Sequence, residues 1–417
     1  MADYDDTVAG YDRGRHPGAR RMTVDVSPVR YQLISVDDHF VEPPHTFAGR
    51  LPAKLADRAP RVVRGDDGAD YWIFDDERVP LPAADVLQSW HPSEWCVSKV
   101  NFDEARPGTW NIADRIADMD LAGIYASLNF PSTVFGFAGQ RFIRMRDPEL
   151  GLASLRAYNA WIADEWAAFD PTRIIPCQVT WLGDPDIAAA DISANADRGF
   201  KAVAFCENPE RLGLPSIYDP DWRPFFAACS ETGTVVNLHV GSSSQTLVPS
   251  RQSPPQVLGA LFAVNALQTC VDWIYAGIPA AFPDLRIALS EGGVGWVPML
   301  LDRLRYQERV YHADGLGRDW GTGELSAQEL LRRNFWFTTF YDPLALSLRH
   351  EIGIDRIMLE ADYPHADSTW PDSQDVIHSM VDGFPSDEIL KLTCANAAAL
   401  YRHPLPAVGG GGAATGE

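Results

Sequence analysis

Short runs of apolar and β-branched residues alternate with longer amphipathic stretches along most of the chain. Eight runs predict strands because they are rich in Val, Ile and Phe and show little alternation of apolar and polar positions. Their expected bounds are 34–40, 124–130, 173–181, 202–206, 235–240, 286–293, 335–340 and 356–365. A helical segment separates each strand from the next, so the pattern predicts an α/β fold with parallel strands buried on both faces.

Eight successive strand–helix units favour a single-domain (β/α)₈ TIM barrel over an open, doubly wound sheet. The open sheet also fits the alternation, but its dinucleotide fingerprint, GxGxxG directly after a strand, is absent from the sequence. A long polar and aromatic segment is inserted after the first strand. Its run YWIFDDERVPL predicts a small hairpin over the functional site.

The two ends of the chain differ in composition from its centre. Residues 1–29 have few apolar positions and predict a flexible arm, residues 30–403 form the barrel, and the Gly-rich residues 404–417 predict a flexible tail. The N-terminus lacks the apolar stretch of a signal peptide. The longest apolar region, 257–282, carries polar residues such as Asp272, which favours a buried barrel helix over a membrane span. We therefore expect a cytoplasmic protein with no membrane partner.

Charge and cysteine usage narrow the class of protein further. The chain has 57 acidic and 35 basic residues, a formal net charge of −22, which disfavours nucleic acids and anionic membrane surfaces as partners. The six cysteines are scattered without a CxxC pair, so we expect reduced and mostly buried thiols. A small-molecule substrate and a homodimeric assembly are the expected partners.

Polar residues of metal-binding types stand at the ends of several predicted strands, where barrel enzymes place their active groups. Asp37 and His39 end the first strand, and because residues two apart on a strand share a face, both can reach one ion. His239 ends the fifth strand and Asp362 the last. We predict that these four side chains bind one divalent metal ion. Each assignment has an alternative. Asp37 and His39 could cap the strand, His239 could be a hydrogen-bonded core histidine, and Asp362 could form an ion pair with an arginine.

Two further residues are candidates for proton transfer. Glu291 opens the turn after the sixth strand and is interpreted as a general acid or base beside the metal, or an additional ligand. The alternative is a carboxylate that the dipole of a helix N-terminus favours. His365 is interpreted as a catalytic or substrate-contacting residue, with an ordinary loop histidine as the alternative. Glu360 shares a face with Asp362 and is expected to support it.

Four motifs occur in the order found in a known family. They are D-x-H-x-x-E-P at 37–43, LHVG at 238–241, LSEGGVGWVP at 289–298 and ADYPHADSTWP at 361–371. Together, over about residues 31–402, they resemble amidohydrolase-related proteins of the aminocarboxymuconate-semialdehyde decarboxylase type. The resemblance implies a (β/α)₈ barrel that holds one divalent ion, usually zinc and sometimes manganese or magnesium. It also implies that the ion's ligands are Asp37, His39, His239 and Asp362.

The chain departs from this family's pattern at two places. The first strand has Asp-x-His where the decarboxylases often have His-x-His or Glu-x-His, and Glu291 stands where they have a catalytic histidine. The fourth strand, AVAFC, is followed by Glu-Asn-Pro without a bridging lysine, which argues against a binuclear, carbamylated-lysine hydrolase.

The family includes non-oxidative decarboxylases of aromatic or unsaturated acids as well as hydrolases. The resemblance therefore favours decarboxylation of a small carbonyl- or carboxylate-bearing compound. The residues themselves favour the alternative, hydrolysis by a metal-bound water with Glu291 as general base. A non-catalytic metal-binding barrel is a further alternative. A serine hydrolase is set aside because the GxSxG elbow is absent.

Overall fold

The computed structural model describes residues 27–89, 99–250, 252–313 and 324–405. All eight predicted barrel strands form within these residues. Most of the expected arm and tail, together with Cys96, lie outside them. The strands are β1 (Leu33–His39), β2 (Arg61–Arg64), β3 (Asp70–Phe74), β4 (Glu77–Pro80), β5 (Ile124–Phe130), β6 (Ile174–Ile175), β7 (Cys177–Val179), β8 (Ala202–Phe205), β9 (Val235–His239), β10 (Ile287–Ser290), β11 (Phe335–Thr339) and β12 (Ile357–Leu359).

The barrel strands pair in parallel and in chain order. β1 pairs with β5 and β5 with β6, while β7 to β12 form a continuous series of neighbours. β6 and β7 are one barrel strand divided at Pro176, which has no N–H to donate to a ladder. Two backbone hydrogen bonds join the chain after β12 to β1: Asp362 N to Asp37 O at 2.8 Å and His39 N to Tyr363 O at 2.7 Å. The predicted (β/α)₈ barrel is confirmed.

Helices occupy the connections between the strands, and many begin at a capping side chain. Asn111, for example, accepts hydrogen bonds from Ala113 N and Asp114 N at the start of the helix before β5. The α-helices are α1 (Ile112–Ala122), α2 (Gln140–Ile143), α3 (Pro148–Trp161), α4 (Ala167–Phe169), α5 (Pro185–Asp197), α6 (Arg223–Thr232), α7 (Pro255–Ala260), α8 (Phe262–Tyr275), α9 (Ile278–Ala281), α10 (Val297–Ala313), α11 (Ala327–Asn334), α12 (Pro343–Leu346), α13 (Arg349–Ile352), α14 (Ser373–Val381), α15 (Ser386–Leu390) and α16 (Asn396–Tyr401).

The apolar region 257–282 forms α7, α8 and α9 on the outside of the barrel. Among the described residues, no helix is both long and apolar enough to span a bilayer. The five described cysteines are all free and buried, as expected.

An extra residue in β1 sets which of its side chains face the barrel interior. Ile34 pairs with Ala126 and His39 with Phe130, so five steps along β1 match four along β5. This β-bulge interrupts the two-residue alternation of side chains. As a result, His39 lies on the same side as Ile34, which packs in the interior core. Without the bulge, the odd spacing would place them on opposite faces.

The inserted segment forms a three-stranded antiparallel sheet, β2–β3–β4. The predicted hairpin corresponds to β3 and β4, whereas β2 was missed because the run Arg-Val-Val-Arg is short and charged at both ends. Trp72 of β3 packs against Phe47 and Phe135, with ring centroids 5.7 and 5.1 Å away. The sheet therefore covers the chain that follows β5.

Two predicted strands end three or more residues before their expected limits. The sixth was expected to reach 293 and the last 365, but β10 ends at Ser290 and β12 at Leu359. Glu291 and Asp362 follow in left-handed conformations, with φ of 60° and 55°. Such a backbone cannot continue a ladder, and apolar patterning does not reveal it. Both side chains are thus held by loops at the strand ends.

Candidate metal centre

The four side chains predicted as ligands converge at the C-terminal ends of β1, β9 and β12. The Nε2 atoms of His39 and His239 lie 3.1 Å apart. Asp37 Oδ1 lies 3.6 Å from His39 Nε2 and 3.5 Å from His239 Nε2. Asp362 Oδ1 lies 3.4 Å from His39 Nε2. Ligand atoms of Asp37, His39 and His239 can therefore all reach one ion through bonds of about 2 Å. Asp362 adjoins this group through His39 and forms an overlapping group with His39 and His365.

The hydrogen bonds of the two imidazoles define their protonation. His39 Nδ1 lies 3.0 Å from Pro131 O, and His239 Nδ1 lies 2.7 Å from Val240 O. A carbonyl oxygen only accepts, so each Nδ1 carries the proton and each neutral ring keeps a lone pair on Nε2. Burial lowers the pKa of His239 to about 3 and also lowers that of His39, which keeps both rings neutral. The 3.1 Å contact therefore brings two lone pairs together, an arrangement that a cation between them would stabilise.

The two aspartates also lack the hydrogen bonds that buried carboxylates need. Both oxygens of Asp37 and both of Asp362 are buried without a hydrogen bond among the described residues. Burial raises the pKa of each well above its usual range, and repulsion from neighbouring acids adds to the rise. A divalent cation would remove this cost. Two imidazole nitrogens with carboxylate oxygens form a donor set suited to zinc or manganese, so the residues present fit such an ion.

Both residues predicted to move protons lie beside this cluster. Glu291 Oε2 is 3.6 Å from His239 Nε2, and burial and the charge of Asp362 raise the pKa of Glu291. His365 Nδ1 is 3.0 Å from Asp362 Oδ1, and the His365 ring lies 4.0 Å from that of His39. His365 Nε2 is buried with no hydrogen-bond partner in the described part of the chain. The structure therefore brings all six predicted site residues together.

Two residues near the site, Asp367 and Phe137, were not predicted from the sequence. Asp367 is exposed, yet one of its oxygens lies within 4.8 Å of ligand atoms of Glu291 and Asp362. Its place in the ADYPHADSTWP motif was a usable signal. Phe137 packs its ring 4.2 Å from that of His239 and 4.8 Å from that of His39. Nothing in the pattern distinguished it from an ordinary core aromatic residue.

Residues next to the predicted ligands fix the backbone that carries them. Asp38 accepts hydrogen bonds from Ser127 Oγ and, at 3.0 Å, from Tyr363 N. The buried guanidinium of Arg115 donates to the carbonyl oxygen of His39 and stacks on the Tyr363 ring, 4.4 Å from its centroid. These contacts tie β1 to the loop that holds Asp362. Glu360 is buried and accepts from Glu291 N at a long 3.5 Å.

Glu42 supports His39 through the chain after β5. Its carboxylate is buried and accepts from Ser132 N at 3.1 Å, from Ser132 Oγ and from Tyr158 OH at 2.7 Å. Ser132 directly follows Pro131, whose carbonyl orients His39 Nδ1. Burial raises the pKa of Glu42 to about 7, a rise that the bonds from Ser132 and Tyr158 limit.

We expect Glu42→Gln to weaken metal binding by about 10- to 100-fold, since partners that orient a ligand have effects of this size. The amide of glutamine keeps the volume of the Glu42 side chain. Its N–H group, however, would face Ser132 and Tyr158, which themselves donate hydrogen bonds at this position. Competition with a chromophoric chelator measures the affinity, and the exposed Glu149→Gln is the matched control. Unchanged affinity in Glu42→Gln would assign Glu42 to packing alone.

Comparisons with known proteins agree with this fold. A family model described as Amidohydrolase matches residues 25–403. A search of curated proteins gives no match. An amidohydrolase from Mycobacterium avium subsp. paratuberculosis K-10 superposes with a TM-score of 0.68 at 23% identity, over 90% of this chain and 100% of that one.

Two solved decarboxylases are also similar in structure. The 5-carboxyvanillate decarboxylase of Novosphingobium aromaticivorans DSM 12444, complexed with manganese, has a TM-score of 0.61 at 18% identity, over 89% of this chain and 96% of that one. The 2,6-dihydroxybenzoate decarboxylase from Rhizobium has a TM-score of 0.59 at 17% identity, over 89% and 98%. At these identities the likeness shows the fold.

Proposed function

The chain belongs to the amidohydrolase family, and we propose that it catalyses the non-oxidative decarboxylation of a small aromatic or unsaturated carboxylic acid. It is a metal-dependent enzyme of that superfamily. The observation that carries the proposal is the pair of unprotonated His39 and His239 Nε2 atoms 3.1 Å apart, flanked by carboxylates that form no hydrogen bond among the described residues. Asp37, His39, His239 and Asp362 would hold one divalent ion, zinc or manganese.

When bound, such an ion acts as a Lewis acid toward carbonyl and carboxylate oxygens and makes nearby water more acidic. The protein's own groups then supply orientation and protons. In a decarboxylation the C–C bond breaks, CO₂ leaves with the carboxyl oxygens, and the carbon left behind takes a proton. The buried Glu291 carboxyl has a raised pKa and can hold that proton on Oε2. His365, with Nε2 free of a hydrogen bond among the described residues, is the second candidate to carry it.

The surroundings of the cluster favour an aromatic or otherwise apolar substrate. Phe137 lies against both metal-site imidazoles, and the Phe130 ring is 5.0 Å from that of His239. Aromatic faces pack well against a planar substrate and keep water out. The structural neighbours named as decarboxylases of 5-carboxyvanillate and 2,6-dihydroxybenzoate support this class of substrate.

Hydrolysis is the second candidate function, and Glu291 favours it. A carboxylate beside a divalent ion suits removal of a proton from water, which hydrolysis requires. Glu291 stands where the decarboxylases that the sequence motifs resemble have a histidine. This alternative uses the same ion site.

We expect the protein loaded with zinc or manganese to release CO₂ from at least one acid in a panel of hydroxybenzoates and unsaturated dicarboxylates. The assay measures CO₂ and, in ¹⁸O-labelled water, incorporation of solvent oxygen into the organic product. CO₂ release without ¹⁸O in the product supports decarboxylation. Solvent oxygen in the product without CO₂ would overturn it in favour of hydrolysis.

A further inference from the structure

Two loops meet at the mouth of the barrel next to the metal centre. One follows β5 and carries Phe137, which contacts His239, and then α2. The other follows β9 and carries Ser244. The Ser244 hydroxyl joins them, because Gln140 Nε2 lies 3.2 Å and Arg144 Nη2 3.0 Å from its oxygen.

These contacts leave several donors free. The Ser244 oxygen accepts two hydrogen bonds, so its own O–H remains available to donate. A guanidinium has five N–H groups, and the contact with Ser244 uses one. Arg144 forms no ion pair with any described residue, whereas its neighbours Arg141 and Arg146 pair with Glu77 and Asp76. Arg144 is therefore an exposed cation without a carboxylate partner in the described part of the protein.

The loop that carries Ser244 is held in place before any ligand arrives. Ser244 has a left-handed φ of 57°, a conformation that is costly for a residue other than glycine and tends to persist at functional positions. Glu207 at the end of β8 accepts from Gly241 N at 3.0 Å and donates its own N–H to Ser242 Oγ at 3.1 Å. Asn265 and Thr269 of α8 also donate to the Glu207 carboxylate. The loop that carries Ser244 therefore does not have to become ordered when a ligand binds.

We propose that Arg144, Ser244 and Gln140 form an anion subsite that binds a carboxylate of the substrate remote from the bond that breaks. Phe137, three residues before α2, packs against His39 and His239 and supplies an apolar surface for the body of such a substrate. The inference rests on the proposed function and narrows its substrate to acids with a second anionic group. A guanidinium with a hydroxyl beside it suits a planar carboxylate, which accepts two parallel hydrogen bonds.

Binding of simple aromatic acids tests the subsite without turnover. Calorimetry on the manganese-loaded protein compares benzoate with isophthalate and terephthalate, which differ in the span between their carboxylates. We expect at least one dicarboxylate to bind about 10- to 100-fold more tightly than benzoate, the size of one or two charge-assisted hydrogen bonds. Arg144→Gln should bind that dicarboxylate at the benzoate level, and Ser244→Ala should lose part of the preference.

Arg146→Gln is the matched control, since Arg146 lies two residues away, is exposed and pairs with Asp76. It should keep the wild-type preference. The inference is overturned if neither dicarboxylate binds more tightly than benzoate, or if Arg144→Gln keeps the preference while its metal content and Tm equal those of wild type. Failure of the proposed function is separate, because it shows as absent metal or as no CO₂ from any acid.

Discussion

Metal content should fall from about one ion per chain to near zero when His239 or Asp362 is replaced by alanine, because each supplies one of the few ligands of a mononuclear site. Loss of a residue that only orients a ligand lowers metal affinity by about 10- to 100-fold. Loss of a ligand itself should lower the affinity further. Metal analysis of protein dialysed against a fixed concentration of free zinc or manganese measures the occupancy. Activity should disappear with the metal in both variants.

Two exposed residues provide matched controls for these ligand substitutions. His350 and Asp355 pair with Glu388 and Lys391 at the surface, so His350→Ala and Asp355→Ala should keep full occupancy. Asp362→Asn checks folding, since it removes a buried charge without changing the side-chain volume. Added metal should raise the Tm of wild type, since an ion that binds only the folded state stabilises it, and should not raise that of Asp362→Asn. Full occupancy in His239→Ala or Asp362→Ala would contradict the ligand assignment.

Glu291→Gln should retain the metal and lower kcat by about 100- to 10,000-fold, the range that proton-transfer groups contribute. The substitution keeps the shape of the side chain in its left-handed turn and removes only its ability to exchange a proton. KM should change little if Glu291 acts on the proton alone. Steady-state kinetics, together with metal analysis of the same preparation, measure both effects.

Glu149→Gln is again the control, since Glu149 is exposed and pairs with Lys54. Retained turnover in Glu291→Gln would show that Glu291 is structural and would leave His365 as the proton carrier. Loss of the metal instead would show that Glu291 is a ligand. A parallel His365→Gln variant separates the two candidates, because the group that carries the proton should alter the pH profile of kcat when replaced.

The order of the strands and the candidate ligands were accessible from the sequence because they depend on local chemistry. Parallel strands buried on both faces must be apolar, so their runs were found within a few residues of β1 and β5 to β12. Charged residues that interrupt such runs are costly unless they share a partner. Metal-binding residue types at the strand ends, where barrel enzymes place their active groups, selected Asp37, His39, His239 and Asp362, which converge in the structure.

Several features depended on contacts between segments far apart in the chain. The bulge that turns His39 inward is visible only in the register of β1 against β5. The left-handed turns at Glu291 and Asp362 interrupt no apolar pattern, so the predicted strands ran too far. The support of His39 by Glu42 passes through Ser132, 90 residues further along the chain.

For this protein, the order of apolar runs and the residues at their ends determined the barrel and the candidate ligands, since burial and charge act on each residue type in a known way. Tertiary structure alone decided which nitrogen of each histidine is free and where Asp367 lies. It also decided that Arg144 meets Ser244 across two loops. These features arise from backbone turns and from contacts such as that of Arg144 with Ser244, 100 residues apart, which a linear pattern does not encode.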